Sequence, residues 1–289
     1  MTENLQRKKY LVAGANSFLA REIIERLMRQ NDVTCIYHDN TQNLFHDLKS
    51  VHVSEVGKLE DEFDVVFIIS AFIPPRGKPV DEKLLTEVNI HLPEKICRQF
   101  KSAKVVFASS VSVYGETPGV LNEVSSSVHP SLYGSSKKAG EQVVGAHHKY
   151  SILRISSMYG IGMNRSTFIP MIIEAALKEK RITLNGVGSR MQNYIHVSDV
   201  AEFFIRAAER TENGIYLSAG EKSISNNEIA GEIKKLLDHE VSISYTGEDD
   251  SPSFHYSADL TYQSLHYRPK ITIHEGISSI IQWQKKMFL

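Results

Sequence analysis

The chain is poor in the features that mark several protein classes. It has two cysteines, Cys35 and Cys97, in 289 residues. No disulfide framework can be built from them, and a reducing cytoplasm is the simplest compartment to expect. No charge of either sign dominates, because 33 Lys and Arg against 34 Asp and Glu leave a formal net charge of −1. Bulk electrostatics therefore give no footing for nucleic acid or an anionic membrane. No apolar run nears the roughly 18 residues that cross a bilayer. The polar start, Met-Thr-Glu-Asn-Leu-Gln-Arg-Lys-Lys, has no secretory apolar core. Repeats and low-complexity tracts are absent. His147 and His148 are adjacent and share no helical face, and neither His-Glu-x-x-His nor Cys-x-x-Cys occurs, so no metal site is expected.

What is present reads as an α/β chain. Short apolar runs at Tyr10–Ala13, Val33–Tyr37, Asp64–Ser70, Lys104–Ser110 and Tyr150–Ile155 alternate with helical patterns. Leu19, Ile23, Ile24, Leu27 and Met28 recur at helical spacing, and a helix over 84–100 contains Pro93 as a kink point. This alternation predicts a Rossmann-type, doubly wound parallel sheet. The second half is less regular: helices near 169–178 and 200–209, and strands near 194–197 and 215–218. The predicted division is a nucleotide-binding domain over 1–160 and a smaller mixed α/β substrate-binding region over 161–289. A segment near 191–219 is expected to return to the first sheet.

The most informative constellation is Ser110, Tyr133 and Lys137. Tyr133-Gly-Ser-Ser-Lys137 places a phenol and an ammonium on one helical face. A nearby ammonium favours the phenolate and lowers the tyrosine from about 10 toward working pH, which suits Tyr133 to acid/base work on a hydroxyl. Ser110, ending an apolar strand pattern, can hold the same substrate oxygen. Taken alone, a Tyr-x-x-x-Lys is more often a surface helix pair. The first strand turns into its helix through Gly14-Ala-Asn-Ser-Phe-Leu-Ala20, where glycine lets the backbone approach a pyrophosphate at a helix N-terminus. By itself this is also what an ordinary tight turn looks like. Asp39, 25 positions on, is placed to bond an adenosine ribose. No Arg or Lys follows it directly, which favours NAD over NADP. Asn16, Ser17, Phe18, Leu19 and Asn40 complete the candidate cofactor contacts of this corner.

Together these motifs resemble the extended short-chain dehydrogenases/reductases, the NAD-dependent epimerase/dehydratase family. Ser109-Ser-Val-Ser-Val-Tyr-Gly115 is similar to the Ser-Ser-x-x-Val-Tyr-Gly of UDP-galactose 4-epimerases. Leu153-Arg-Ile-Ser-Ser-Met-Tyr-Gly160, Asn193-Tyr-Ile-His-Val-Ser-Asp-Val-Ala201 and Leu265-His-Tyr-Arg-Pro269 with Glu275-Gly-Ile resemble later family segments, so the likeness covers essentially the whole chain. The resemblance implies Tyr133 as acid/base, Lys137 on the nicotinamide ribose, Ser110 on the reacting oxygen, and Ala71, Asn89 and Ser109 beside the cofactor. It implies Ser110, Ser112, Asn164, Thr167 and Gln192 at the substrate, and a homodimer through the 84–100 and Tyr133 helices. Val111 and Ser112 stand where the family's dehydratases carry Asp-Glu, which disfavours elimination. Gln192 and Gly247-Glu-Asp-Asp-Ser251 stand where diphosphate-gripping arginines are usual; Arg190, Arg165 and Lys178 are possible substitutes. The expected activity is NAD-dependent epimerisation or oxidoreduction at a sugar hydroxyl or ketone, with a nucleotide sugar as leading substrate and a non-nucleotide sugar derivative as another. A non-catalytic NAD-binding regulator and an RNA-binding relative are the alternatives from other classes.

Overall fold

The computed structural model describes residues 7–38, 40–41, 44–75, 77–249 and 251–288. The strands, in chain order, are β1 Lys9–Ala13, β2 Asp32–Tyr37, β3 Lys49–His52, β4 Val65–Ile68, β5 Lys104–Ser110, β6 Val120–Leu121, β7 Tyr150–Ile155, β8 Ser157–Tyr159, β9 Arg181–Asn185, β10 Met191–His196, β11 Gly214–Ser218, β12 Ser223–Ser225, β13 Ser242–Thr246 and β14 His255–Tyr256. The α-helices are α1 Phe18–Leu27, α2 Glu82–Thr86, α3 Leu92–Gln99, α4 Leu132–Gly145, α5 Phe168–Glu179, α6 Val197–Glu209, α7 Asn226–Leu236, α8 Asp259–Ser264 and α9 Ile273–Phe288.

Seven parallel strands form one sheet in the order β11-β7-β5-β4-β1-β2-β3. The order reverses between β1 and β4, and a doubly wound sheet opens its ligand crevice at the carboxyl ends of the strands at such a point. Strand alternation sorts the core onto the two faces. Tyr10 and Val12 of β1 pack with Leu19, Ile23, Phe203 and Phe204 of α1 and α6. Leu11 and Ala13 pack with Ile96 and Phe100 on the α3 side and with Val144 of α4. Burying an Ile or Phe in either layer is worth about 1.5–3 kcal/mol, which holds both helix layers to the sheet.

The expected 84–100 helix exists, but as three consecutive segments: α2, a π-helical turn over Glu87–His91, and α3. Pro93 supplies the reason. It has no N–H to give the carbonyl of Asn89 four residues back, so the regular ladder fails there.

The second half has its own core. Ile169, Ile172 and Ile173 of α5 meet Ile229 and Ile233 of α7 and Ile277 and Ile280 of α9. The segment expected to return divides in two. β11 joins the seven-stranded sheet beside β7, whereas β10 lies in a separate sheet of order β12-β10-β8. Among the described residues no helix is long and apolar enough to cross a membrane.

Candidate active site

The β1–α1 corner is built by backbone. Gly14 has φ +85°, and a Cβ on it would lie 2.7 Å from the Ser70 nitrogen. Glycine is required both for the left-handed conformation and for the contact between the ends of β1 and β4. The amides of Gly14 and Ala15 donate to the Ile36 carbonyl at 3.0 and 3.1 Å. Ser17 caps α1, its hydroxyl accepting from Ala20 N at 3.4 Å, and Asn16 Nδ2 donates to the Asn40 carbonyl at 2.8 Å. A cleft of about 270 Å³ opens here, bounded by Gly14, Asn16, Ser17, Tyr37, Ser70 and Ala71. Leu19 is different from its expected neighbours: its side chain is buried in the core against the sheet, so only its backbone faces this corner. Phe18 packs against both cores, its ring beside Gly160. Asp39 lies outside the described residues.

Asn89 is fully buried and acts as a tie. Its Oδ1 accepts from Phe72 N at 2.9 Å, and its Nδ2 donates to the Phe72 carbonyl at 3.0 Å and to Ser136 Oγ at 3.0 Å. Ser136 Oγ donates in turn to the Tyr133 carbonyl at 2.8 Å. The chain leaving β4 is thereby pinned to the helix that carries Tyr133.

Tyr133 and Lys137 lie in α4, and Ser110 ends β5. Ser110 also caps the short 3₁₀ turn Val111–Tyr114, its Oγ accepting from Ser112 N at 3.1 Å and donating to Ser112 Oγ at 3.1 Å. Gly134 lets α4 press on this turn, since a Cβ there would lie 2.2 Å from the Ser112 carbonyl oxygen. Lys137 is completely buried; its Nζ lies 4.1 Å from the centroid of the Phe107 ring and has no hydrogen-bond partner among the described residues.

The electrostatics correct one expectation. Tyr133 is not lowered: burial pushes its phenol up to about 12, offset only in part by its hydrogen bond with Ser110. Burial also pushes Lys137 down to about 7, with the Glu141 carboxylate pulling the other way. An ammonium that is itself near neutrality cannot impose a phenolate on its neighbour. The spacing rule foresaw the shared face but not the desolvation.

A second cleft, of about 170 Å³, begins at Ser112. Val111, Gly115, Ser157, Gln192, Asn193, Phe254 and Tyr256 complete it. Of the residues expected at the substrate, Ser112 and Gln192 line this cleft and Ser110 is joined to it through Ser112, with the Gln192 Oε1 accepting from Tyr194 Oη at 2.7 Å. Asn164 and Thr167 are engaged locally: Asn164 Oδ1 accepts from Ser166 N at 3.0 Å, and Thr167 Oγ1 donates to the Asn164 carbonyl at 2.7 Å ahead of α5. Arg165 and Lys178 both pair with Glu174, and Arg190 Nε donates to the Pro252 carbonyl at 3.4 Å. Ser109 faces away from the nucleotide corner, its hydroxyl donating to Glu141. Sequence reading missed Ser157, Asn193, Phe254 and Tyr256. Ser157 follows the Leu153-Arg motif closely enough to have been found, whereas nothing local marks Phe254 or Tyr256.

The residues present fit a dinucleotide. The Gly14 cradle would be filled by any Cβ, and a fully buried Lys137 Nζ without a partner is a donor set awaiting an acceptor. Comparisons with known proteins agree. The chain is 26% identical to a putative UDP-glucose 4-epimerase of Methanocaldococcus jannaschii, over 95% of this chain and 98% of that one. It is 25% identical to a UDP-glucuronate 4-epimerase of Thermodesulfobacterium geofontis, over 96% of each. Its fold matches that of a UDP-N-acetylglucosamine 4-epimerase from Methanobrevibacter ruminantium, solved with UDP-N-acetylmuramic acid, at a TM-score of 0.86 and 23% identity over 97% of this chain and 99% of that one. Residues 10–218 match the model of the NAD dependent epimerase/dehydratase family, and with that match on top of the Gly14 corner and the Ser110–Tyr133–Lys137 cluster, the chain belongs to this family of NAD-dependent enzymes.

Proposed function

We propose that the protein is an NAD-dependent sugar epimerase or oxidoreductase, with a nucleotide sugar as its leading substrate and Tyr133, Lys137 and Ser110 as its catalytic set. The observation that carries this reading is the buried Lys137 Nζ, unpartnered among the described residues, one helical turn from Tyr133 on the helix that packs against β5, which Ser110 ends. NAD, when bound, would supply the hydride acceptor and a positive charge that favours the Tyr133 phenolate. Gly14, Asn16, Ser17 and Ala71 would flank it, and Lys137 would donate to it. Ser110 Oγ orients the reacting oxygen of the sugar. Tyr133 Oη takes the proton of that hydroxyl as the carbon is oxidised and returns it when the ketone is reduced. In an epimerase the ketone presents its opposite face between the two events, and the cofactor is not consumed.

Val111 and Ser112 offer no carboxylate for elimination, so epimerisation or simple redox chemistry is the better reading. The dimer implied by the resemblance and the cytoplasmic setting expected from the two cysteines belong to the same proposal. One observation favours a second substrate class: among the described residues no Lys or Arg lines the cleft at Ser112, where a diphosphate brings two negative charges. A sugar derivative without a nucleotide would fit such a lining. Mass spectrometry of small molecules released on denaturing the purified protein tests both readings. Stoichiometric NAD with a nucleotide sugar is the expected result. NAD absent even after soaking would overturn the assignment, and NAD with a non-nucleotide sugar would select the second class.

A further inference from the structure

Glu141 has no part in the chemistry above, yet it is buried in the wall of the site. It lies on α4 one turn beyond Lys137, and only 4% of its surface is exposed. Its Oε1 accepts from Ser109 Oγ at 2.7 Å and Arg154 Nε at 2.9 Å. Its Oε2 accepts from Arg154 Nη2 at 2.8 Å and Lys138 Nζ at 3.3 Å. Arg154, equally buried, also donates to the Glu123 carbonyl at 3.2 Å and lies over the Tyr114 ring. Ser109 and Arg154 are register partners in β5 and β7. Two residues spaced by four on the helix therefore stand over two spaced by two on the strand: Lys137 over Phe107, and Glu141 at Ser109.

Stability alone gives no reason for this arrangement. A buried ion pair is often no better than well-packed apolar residues of the same volume. Lys137, by contrast, has a need that Glu141 meets, because no hydrogen bond supports its ammonium and burial opposes its charge.

The other charged and titratable groups on elements packed against α4 are few. Tyr133 is on α4 itself. Tyr114 comes from the 111–114 turn and Arg154 from β7. The 87–91 turn carries Glu87 and His91, paired with each other at 3.2 Å, and α3 carries Glu94 and Arg98, paired at 2.6 Å, with Lys95 on the Val53 carbonyl. Glu82 and Lys83 of α2 are exposed. β5 presents Phe107 and Ser109 and carries Lys104, whose Nζ donates to the Arg210 carbonyl at 2.7 Å, while Lys138 lies on α4, Tyr150 on β7 and Cys97 on α3. Glu141 is the anion felt by Lys137.

We propose that Glu141 is a positioning residue of this site, a carboxylate held in place by Arg154 and Ser109 whose negative charge favours the protonated form of Lys137 against its burial, beneath the reacting tyrosine. The role in catalysis rests on the function proposed above, but the charge relation does not.

The test is lysine-selective ¹³C NMR of the full chain, following the Lys137 side-chain resonance against pH, with Lys137→Met identifying the signal. Wild type is expected to titrate near 7. Glu141→Gln is expected to move that midpoint down by about one pH unit, as loss of an adjacent opposite charge does. Glu141→Gln alone leaves the Arg154 guanidinium buried and unpaired and can fail to fold. The paired Glu141→Gln/Arg154→Met variant removes both charges, is expected to fold, and is expected to show the same downward direction. Glu141→Asp keeps the charge and should restore most of the midpoint. A merely structural role lowers thermal stability and leaves the midpoint where it was; an unmoved midpoint in the paired variant overturns the proposal. Turnover surviving in Tyr133→Phe would instead sink the catalytic reading and leave the titration result standing.

Discussion

The two clefts, one at the β1–α1 corner and one at Ser112, are made in different ways. The one at the β1–α1 corner combines the close main-chain packing of Gly14 on Ser70 with the end of β2 over 36–38, Val53 and the 84–92 segment. The one at Ser112 is assembled from side chains of four separate segments: Ser112, Ser157, Gln192 with Asn193, and Phe254 with Tyr256. A main-chain site depends on conformation and tolerates most side-chain changes except those that fill it. A side-chain site can be re-specified residue by residue while the fold is kept. On the function proposed above, the comparison makes cofactor recognition chiefly a matter of conformation at the corner, and substrate choice a matter of a few dispersed positions.

Tyr133, the acid/base of the proposed catalytic set, should give the largest effect. Tyr133→Phe is expected to cut turnover by about 10²–10⁴-fold, the usual worth of a positioned acid/base, while NAD affinity measured by calorimetry stays within a few-fold. Wild-type-like turnover would break the assignment. Gly14→Ala tests the main-chain cleft. A Cβ at φ +85° and 2.7 Å from Ser70 N should cost about 1–3 kcal/mol, read as roughly 10- to 100-fold weaker NAD binding.

Lys137 should also give the cofactor-free protein a pH-dependent stability. Its folded value, lowered to about 7, lies below an unfolded value of about 10.4. Below about 7 both states hold the proton and the burial penalty is fully felt. Between about 7 and 10 the unfolded state binds the extra proton, so stability rises with pH, by up to about 1.4 kcal/mol per unit. Denaturant melts across this window should show that slope in wild type and lose it in Lys137→Met.

The side-chain cleft should respond more gently and in KM rather than kcat. Gln192→Arg adds the cation its lining lacks and is expected to lower KM for a UDP-sugar by about tenfold, in keeping with one charge-assisted hydrogen bond of about 1.5–3 kcal/mol. An unchanged KM would separate Gln192 from the diphosphate. The smallest effects belong to Asn164→Ala and Thr167→Ala. Their side chains serve the turn before α5, so KM and kcat should stay within about twofold; a tenfold rise in KM would move this loop into the substrate cleft.

Much of the first half was legible because its signals are local. The apolar runs of β1, β2, β5 and β7 announce buried parallel strands, and Pro93 announces the break that Asn89 exploits. Tyr133 and Lys137 declare a shared face by spacing alone. Much of the second half was not legible. β9 and β13 are short edge-like segments that acquire meaning only by pairing with each other across the chain. β10 has a strand pattern, but nothing in that pattern tells which sheet it joins.

The sequence by itself determined the alternation that makes the doubly wound sheet, the glycine at its crevice and the tyrosine and lysine on one helical face, because each follows from spacing within a single turn or strand. The tertiary structure decided the charge states of that pair, the burial of Glu141 with Arg154 behind it, and the lining of the Ser112 cleft. Desolvation and convergence of distant segments are set by what surrounds a residue in space, and no local spacing encodes them.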